Sequence, residues 1–210
     1  MSRVILLWSG GKDAMLALCH ARNAGHQVVA LATFAPPAPR FLAHPLPLVR
    51  RQAAALGLPH QLVTIEAPFE QSYETALSRP HQEWAPDGVV TGDIDSVGGA
   101  PNWIRERSQP LGLTVHTPLW QQSRQALLAD MLARGIVAHL SCVDTRVLAP
   151  EWAGRVLDAA TLTELQQLAE REGFDACGEQ GEYHSRVTDG PGFAAPLRFD
   201  GWQLARQDHL

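Results

Sequence analysis

The stretch Val4-Ile5-Leu6-Leu7-Trp8-Ser9-Gly10-Gly11-Lys12-Asp13 decides the fold. Its first half is an unbroken apolar run, the pattern of a strand buried on both faces of a sheet. From Asp13 onward Met15, Leu16, Leu18 and Cys19 recur at helical spacing, and Gly25 stops the pattern. Between strand and helix, two glycines let main-chain N–H groups approach an anion at the helix N-terminus, where the dipole also favours negative charge. Lys12 is the single lysine among the 17 Lys and Arg residues. A compact ammonium suits a phosphate as a point charge. Taken alone, the loop is equally a tight turn with Lys12 as a solvated charge. The phosphate reading makes Ser9, Gly10, Gly11, Lys12 and Asp13 candidate nucleotide ligands.

Two better-known phosphate loops are excluded by spacing. No Gly-x-x-x-x-Gly-Lys-Ser/Thr stretch exists, and Gly-x-Gly-x-x-Gly is absent from the first strand-helix turn. What remains, Ser9-Gly10-Gly11-Lys12-Asp13, resembles the pyrophosphate-binding loop of the PP-loop (N-type) ATP pyrophosphatases. That resemblance implies cleavage of ATP between its α and β phosphates.

The chain has 210 residues, enough for one large domain or two small ones with a real apolar core. Cys19, Cys142 and Cys177 lie far apart, which argues against a disulfide framework or a zinc knuckle and reads as small buried hydrophobes. No apolar run approaches the about 20 residues that cross a bilayer, so the expectation is a soluble, cytoplasmic protein without a membrane partner. The net charge is −5, with pI near 6.0 and scattered arginines, which disfavours nucleic acid as the main partner. The 9 histidines are dispersed and form no paired metal-ligand spacing.

Apolar strand patterns at 27–33, 60–65 and 88–91 alternate with helical patterns at 48–56 and 69–77, with a Pro-rich loop at 36–47. A further helix is expected from Asn102 to about Gln109, then a short apolar stretch at 113–116. Such alternation predicts an α/β fold with a doubly wound parallel sheet, which binds ligands beyond the carboxyl ends of its strands, and the PP-loop resemblance implies that this sheet is of the adenine nucleotide alpha hydrolase type. The loops after Trp8, Thr33 and Thr91 then share one edge. Beyond Pro118, Ser123 caps a helix to Arg134, 136–143 is a strand, and Thr161 or Thr163 caps a helix to Glu172. This second part reads as smaller and mixed α/β, giving an ATP-binding part at 1–120 and a substrate-binding part at 121–210.

Near the C-terminus, Gly178-Glu179-Gln180-Gly181-Glu182-Tyr183-His184-Ser185 packs two carboxylates, a phenol, an imidazole and a hydroxyl between glycines, and a hairpin-like turn, Asp189-Gly190-Pro191, follows. A polar hairpin accounts for the same residues without any function. Together with the first loop, however, this octet is similar to the Gly-Glu-x-Gly-Glu-Tyr/Phe-His-Thr signature of the diphthine-ammonia ligase family. Phe41-Leu42-Ala43-His44, the segment 52–59, Gly92-Asp93-Ile94, 111–113 and Pro118-Leu119-Trp120 fit that family in the expected order.

The resemblance implies an ATP-dependent amide-forming ligase. A substrate carboxylate is adenylated with release of pyrophosphate, and ammonia then displaces AMP. On that reading Ser9, Gly10, Gly11, Lys12, Asp13, His44, Gly92 and Asp93 hold the nucleotide, with Asp13 and Asp93 as carboxylates for Mg²⁺. Glu179, Glu182, Tyr183, His184 and Ser185 serve the substrate, and Lys12, Glu182 and His184 are the catalytic candidates. Two carboxylates and an aromatic face suit a cationic group, either a trimethylammonium like that of diphthine or ammonium itself. His184 suits a proton acceptor. Each assignment has a bland counterpart: Asp13 complementing a helix N-terminus, Asp93 shaping a turn, His44 as an idle loop histidine, His184 in a structural hydrogen bond. One departure stands out, since the family loop continues with Ser or Thr where this chain has Ala14. The lost hydroxyl weakens ATP binding by about 1 kcal/mol, or up to about 3 if it met a charged oxygen. Two alternatives follow: a nucleotide-binding sensor or regulatory module without turnover, and a PP-loop enzyme that modifies transfer RNA.

Overall fold

The computed structural model describes residues 1–210 apart from 40, 42, 97–102, 200, 202–204, 206 and 207. Leu42 and Asn102, quoted above, therefore lie outside the described residues. The apolar run forms β1 (Arg3–Leu7), and the loop after it opens α1 (Lys12–Asn23). There follow β2 (Gln27–Ala35), α2 (Leu46–Ala55), β3 (His60–Thr64), α3 (Phe69–Trp84), β4 (Gly88–Val90), α4 (Trp103–Ser108) and β5 (Thr114–His116). All five strands are parallel, in the order β3-β2-β1-β4-β5. The chain winds outward from β1 to β3 on one side and resumes with β4 and β5 on the other. The crevice between β1 and β4 is thus the switch point where an open parallel sheet binds ligands.

Strand alternation sorts the core. Val4 and Leu6 of β1 join a cluster with Met15 and Leu18 of α1 and Val49 and Ala53 of α2, whereas Ile5 points to the opposite face with Ala30, Val63 and Ala76. Near-zero exposure along Val4-Ile5-Leu6 follows from cover on both faces.

The remaining elements are α5 (Arg124–Ala133), β6 (Val137–Val143), α6 (Ala159–Glu172) and β7 (Tyr183–Asp189). β6 and β7 form a two-stranded antiparallel sheet. Leu140, Leu162, Leu165 and Val187 belong to the same buried cluster as Val4 and Leu6, so the core is continuous across residue 120.

Several local expectations change. α6 is capped by Asp158, which accepts the Thr161 N–H at 2.8 Å, and not by Thr161 or Thr163. The carboxylate three residues upstream simply supplies the stronger acceptor. α3 continues past Leu77 to Trp84, which packs against the Ile5 cluster and gives the second half of the helix an apolar anchor. The turn after Asp189 does not close a hairpin with a following strand, because the partner of β7 is β6, far upstream. By contrast, Ser123 caps α5 as its spacing suggests, accepting the Ala126 N–H at 3.1 Å.

Gly92, just beyond β4, sits against the first turn of α1. A Cβ there would meet the Ala14 nitrogen and the Asp13 carbonyl carbon, each at 2.8 Å, and these are backbone atoms that cannot rotate away. Gly92→Ala is expected to cost about 1 to 3 kcal/mol by overpacking. Chemical denaturation measures this, and an unchanged midpoint would contradict the close approach.

Candidate active site

Gly11 is the N-cap of α1, and no side chain caps the helix. The loop is held by other means. Gly10 has φ +82°, and a Cβ on it would sit 2.3 Å from the Gln52 Oε1, so the position admits only glycine. The Gly10 carbonyl accepts two bonds at 2.9 Å, one from Gln52 Nε2 and one from the backbone N–H of Val187. Gln52 Nε2 also donates to the Val187 carbonyl at 2.8 Å, and its Oε1 accepts the Trp8 indole N–H at 3.2 Å. The Lys12 N–H donates to Ser185 Oγ at 3.1 Å. The first loop therefore lies along β7 almost as a third strand.

Lys12 is 4% exposed. Its ammonium donates to Asp13 Oδ2 at 2.7 Å and to the Cys177 carbonyl at 2.6 Å, and lies 5.2 Å from the Tyr183 ring centroid. Burial opposes its charge, but Asp13 first and the surrounding groups after it outweigh that and hold the pKa above the ordinary lysine value.

A cleft of about 400 Å³ opens at the carboxyl ends of β1, β2 and β4. Leu7, Trp8, Phe34, Phe41, Val49 and Ile104 give it an apolar wall, and Ser9, Asp13, His44, Gly92, Asp93 and Glu179 contribute polar or open positions. Ala14 also lines it. Six sequence-predicted site residues thus meet in one cavity of the size that small-molecule sites have. Lys12, Glu182, Tyr183 and Ser185 are not on its wall. Glu182 is 6% exposed, and its two oxygens accept the N–H groups of Asp175 at 2.9 Å and Gln180 at 3.0 Å. The Tyr183 hydroxyl donates to the Ala176 carbonyl at 2.9 Å. These side chains fold the 175–183 segment around the lysine.

The imidazoles of His44 and His184 meet edge to face, with centroids 5.7 Å apart, which places His184 one ring beyond the cleft wall. Burial, then His184, Arg186 and Lys12, lower the His44 pKa to about 3, and its buried Nδ1 has no hydrogen-bond partner. His184 is exposed at the surface, yet burial of the rest of the ring and the Lys12 charge hold its pKa below the usual histidine value. Burial and the neighbouring Asp13 raise that of Glu179, partly offset by a bond from the Ile94 N–H at 3.4 Å. Asp13 and Asp93 fit the donor set that Mg²⁺ prefers, one or two carboxylates completed by phosphate oxygens and water. Among the described residues no group of three or more His, Cys, Asp and Glu is gathered for a metal.

Gln52 opens the 52–59 segment quoted above, but that motif says nothing of its role in holding the loop, for which the helix pattern carries a signal. Gln52 falls in phase with Leu48 on the buried face of α2, alongside Val49 and Ala53, and a lone amide there must find buried partners. Arg124 has no such signal. It donates to Asp175 at 2.8 Å and to Asp95 at 3.4 Å, joining the segment after β4 to the C-terminal loop across long sequence separations.

Comparison with known proteins settles the family. The model of the diphthamide synthase N-terminal domain matches residues 2–114, and that of its C-terminal domain matches residues 124–206. The chain belongs to the diphthamide synthase family. Among its relatives is the diphthine–ammonia ligase of Danio rerio, 30% identical over 226 residues, covering 94% of this chain and 86% of the relative. The diphthine–ammonia ligase of Homo sapiens is 27% identical over 231 residues, covering 96% and 84%. Diphthamide synthase relatives of this kind are ATP-dependent ligases, and the chain is an enzyme of that class. A solved structure from Methanocaldococcus jannaschii, described as a predicted subunit of tRNA methyltransferase, aligns with a TM-score of 0.50 at 15% identity over 91% of this chain and 98% of its own. That likeness concerns the fold alone. No helix among the described residues is long and apolar enough to cross a membrane.

Two outcomes follow from this geometry. Lys12→Met removes the donor shared by Asp13 and the Cys177 carbonyl and is expected to destabilise by about 2 to 3 kcal/mol, read by urea denaturation. A loss of activity at unchanged stability would contradict the buried staple. His44 has a folded pKa of about 3, below its unfolded value of about 6.5. Its contribution to stability is thus complete above about pH 6.5 and is lost as pH falls toward 3, because the unfolded chain takes up the proton first. Between pH 7 and 5 the wild type should lose up to about 2 kcal/mol that His44→Gln does not lose; equal slopes would refute it.

Proposed function

We propose that the chain is an amide-forming ligase that activates a substrate carboxylate with ATP, releases pyrophosphate, and transfers the acyl group to ammonia. The observation that carries this reading is the meeting of Ser9, Asp13, Asp93 and Glu179 in one cleft at the switch point of the sheet, with residues 1–120 contributing the first three and residues 121–210 the last.

In this reading the adenine rests on the apolar wall, and the phosphates lie at the positive end of α1 over the Gly10 amide and the Ser9 hydroxyl, whose oxygen accepts the Gly11 N–H at 3.2 Å until phosphate competes for it. Lys12 acts at short range through its charge and through the loop it pins, since its ammonium is bonded to Asp13 and Cys177. Asp13 and Asp93 would hold Mg²⁺, which offsets phosphate charge when bound. An acceptor carboxylate oxygen bonds to the α-phosphorus while the bond to the bridging oxygen breaks, and pyrophosphate departs with that electron pair. Glu179, at the cleft wall with its pKa held above the usual carboxylate value, holds ammonium and takes the proton that frees ammonia. The freed ammonia attacks the acyl carbon, AMP leaves with the electron pair of the carbon–oxygen bond, and His184, neutral at pH 7, accepts the surplus proton. Glu182 and Tyr183 serve by shaping the segment that carries Glu179 and His184.

Ala14 on the cleft wall favours a second reading, a nucleotide-binding module without turnover. The two separate cleanly. Incubation with ATP, Mg²⁺, ammonium and a panel of carboxylic acids should yield AMP and pyrophosphate in equal amounts. Orthophosphate as the sole product overturns the ligase, and tight ATP binding with no product under any acceptor supports the second reading. Ala14→Ser should tighten ATP by about fivefold, corresponding to about 1 kcal/mol from one restored hydrogen bond; calorimetry that finds no gain would place the hydroxyl away from phosphate.

A further inference from the structure

Several polar side chains on the cleft wall are already engaged inside the protein. Thr33 donates its hydroxyl to the Trp8 carbonyl at 2.6 Å and meets His60 Nε2 at 2.8 Å, and the Asp13 carboxylate accepts from the Lys12 ammonium at 2.7 Å. Thr91, on the same wall, differs. It is 1% exposed, and among the described residues the one hydrogen bond of its side chain is a bond it accepts, from the Asp93 N–H at 3.0 Å. Its own O–H has no acceptor among them. A hydroxyl carries a donor as well as its lone pairs, and a buried donor left idle on the wall of a cavity is set to meet an acceptor on a ligand.

The place of Thr91 in the fold says which part of a nucleotide it meets. β1 and β4 pair in parallel up to Leu6 and Val90, and the Thr91 N–H donates to the His116 carbonyl at 3.0 Å, so Thr91 prolongs β4 by one residue at the switch point. Val90 belongs to the cluster of Met15 and Leu18, whereas Val89 belongs to the opposite one, against which Leu7, Phe34 and Ile104 pack. Alternation puts Thr91 on the Val89 side, where those last three form part of the apolar wall. The next residue, Gly92, sits against the first turn of α1 at Asp13 and Ala14. Thr91 thus stands where the apolar wall gives way to the helix N-terminus and Asp93. A nucleotide with its base on that wall and its outer phosphates over the Gly10 amide passes this point with its α-phosphate.

We propose that the Thr91 hydroxyl donates to a non-bridging oxygen of the α-phosphate, supplying from β4 a hydroxyl that the loop lacks at Ala14. This rests on the nucleotide half of the ligase reading and adds a substrate-binding residue to it. A donor fixed on the phosphoryl group under attack also offsets the charge gathered there as pyrophosphate departs. The lone pair of the same oxygen stays with the Asp93 N–H, so one side chain orders both the phosphate and the turn that carries Asp93.

Calorimetry on the full chain with adenosine, AMP and ATP, in EDTA and again with Mg²⁺, tests the assignment. Thr91→Val keeps the bulk of the side chain and removes the hydroxyl. In EDTA it should weaken AMP and ATP alike by at least about tenfold and leave adenosine within about twofold, while Thr91→Ser stays close to the wild type for all three. EDTA takes away any effect that reaches phosphate through a metal on Asp93. A loss seen only with Mg²⁺ makes Thr91 a support for Asp93 and overturns the proposal. Equal weakening of adenosine overturns it too, since the hydroxyl then serves the base, the sugar or the shape of the wall. So does ATP weakened with AMP unchanged. Absence of binding by all three to the wild type instead refutes the nucleotide reading itself, which keeps the two failures apart. Should Thr91→Val fail to fold, Thr91→Cys serves, because a thiol of similar bulk donates only weakly, and an AMP affinity equal to the wild type there counts against the bond.

Discussion

A glycine carbonyl shared between an amide side chain and a distant strand holds this protein's site together. Gly10 sits where its carbonyl can accept from both Gln52 and Val187, and Gln52, fully buried, spends its remaining capacity on Trp8 and Val187. A glycine turn is soft by itself, and a phosphate site needs its N–H groups fixed before the ligand arrives. The bonds from Gln52, Val187 and Ser185 supply that stiffness, and all three residues come from outside the loop.

The same interlock explains why the charges are distributed as they are. Lys12 is drawn under the 175–183 segment, where Asp13, the Cys177 carbonyl and the Tyr183 ring surround it. A buried ammonium left unpaired would be severely destabilising, so these partners are a condition of its burial. Glu182 folds the other side of the segment by accepting two N–H groups. On the proposed reading the ligand meets Ser9 and His44, Asp13 in the first turn of α1, Asp93 beyond β4 and Glu179 from the C-terminal segment, with His184 one ring behind His44. The proposed chemistry would draw an anion cradle from one part of the chain and acceptor-side groups from the other, and the two parts share a continuous core.

Arg124 extends this joining. By bonding both Asp175 and Asp95 it ties the segment that follows β4 to the loop that carries Glu179, so the two carboxylate-bearing sides of the cleft keep a common position. Its partners lie 51 and 29 residues away in the chain, beyond the reach of any local motif.

The parallel sheet was legible from Val4 to Asp13 and from the alternation that follows, because burial on both faces leaves continuous apolar runs and a strand-to-helix glycine turn has one common use. The cleft residues Ser9, Asp13, His44, Gly92, Asp93 and Glu179 were legible as well, since each lies in a motif or beside a strand end. Side-chain direction was not legible. Sequence grouped Lys12, Glu182 and Tyr183 with the ligand-facing residues, whereas packing turned all three inward, because a charged or phenolic group at a crowded junction takes the nearest buried partners. The strand partner of β7 and the roles of Gln52 and Arg124 also depend on contacts between distant segments. Local patterns determine which elements form and where their ends lie; only the tertiary structure decides which polar groups remain free for chemistry, since that depends on which of them the fold has already satisfied.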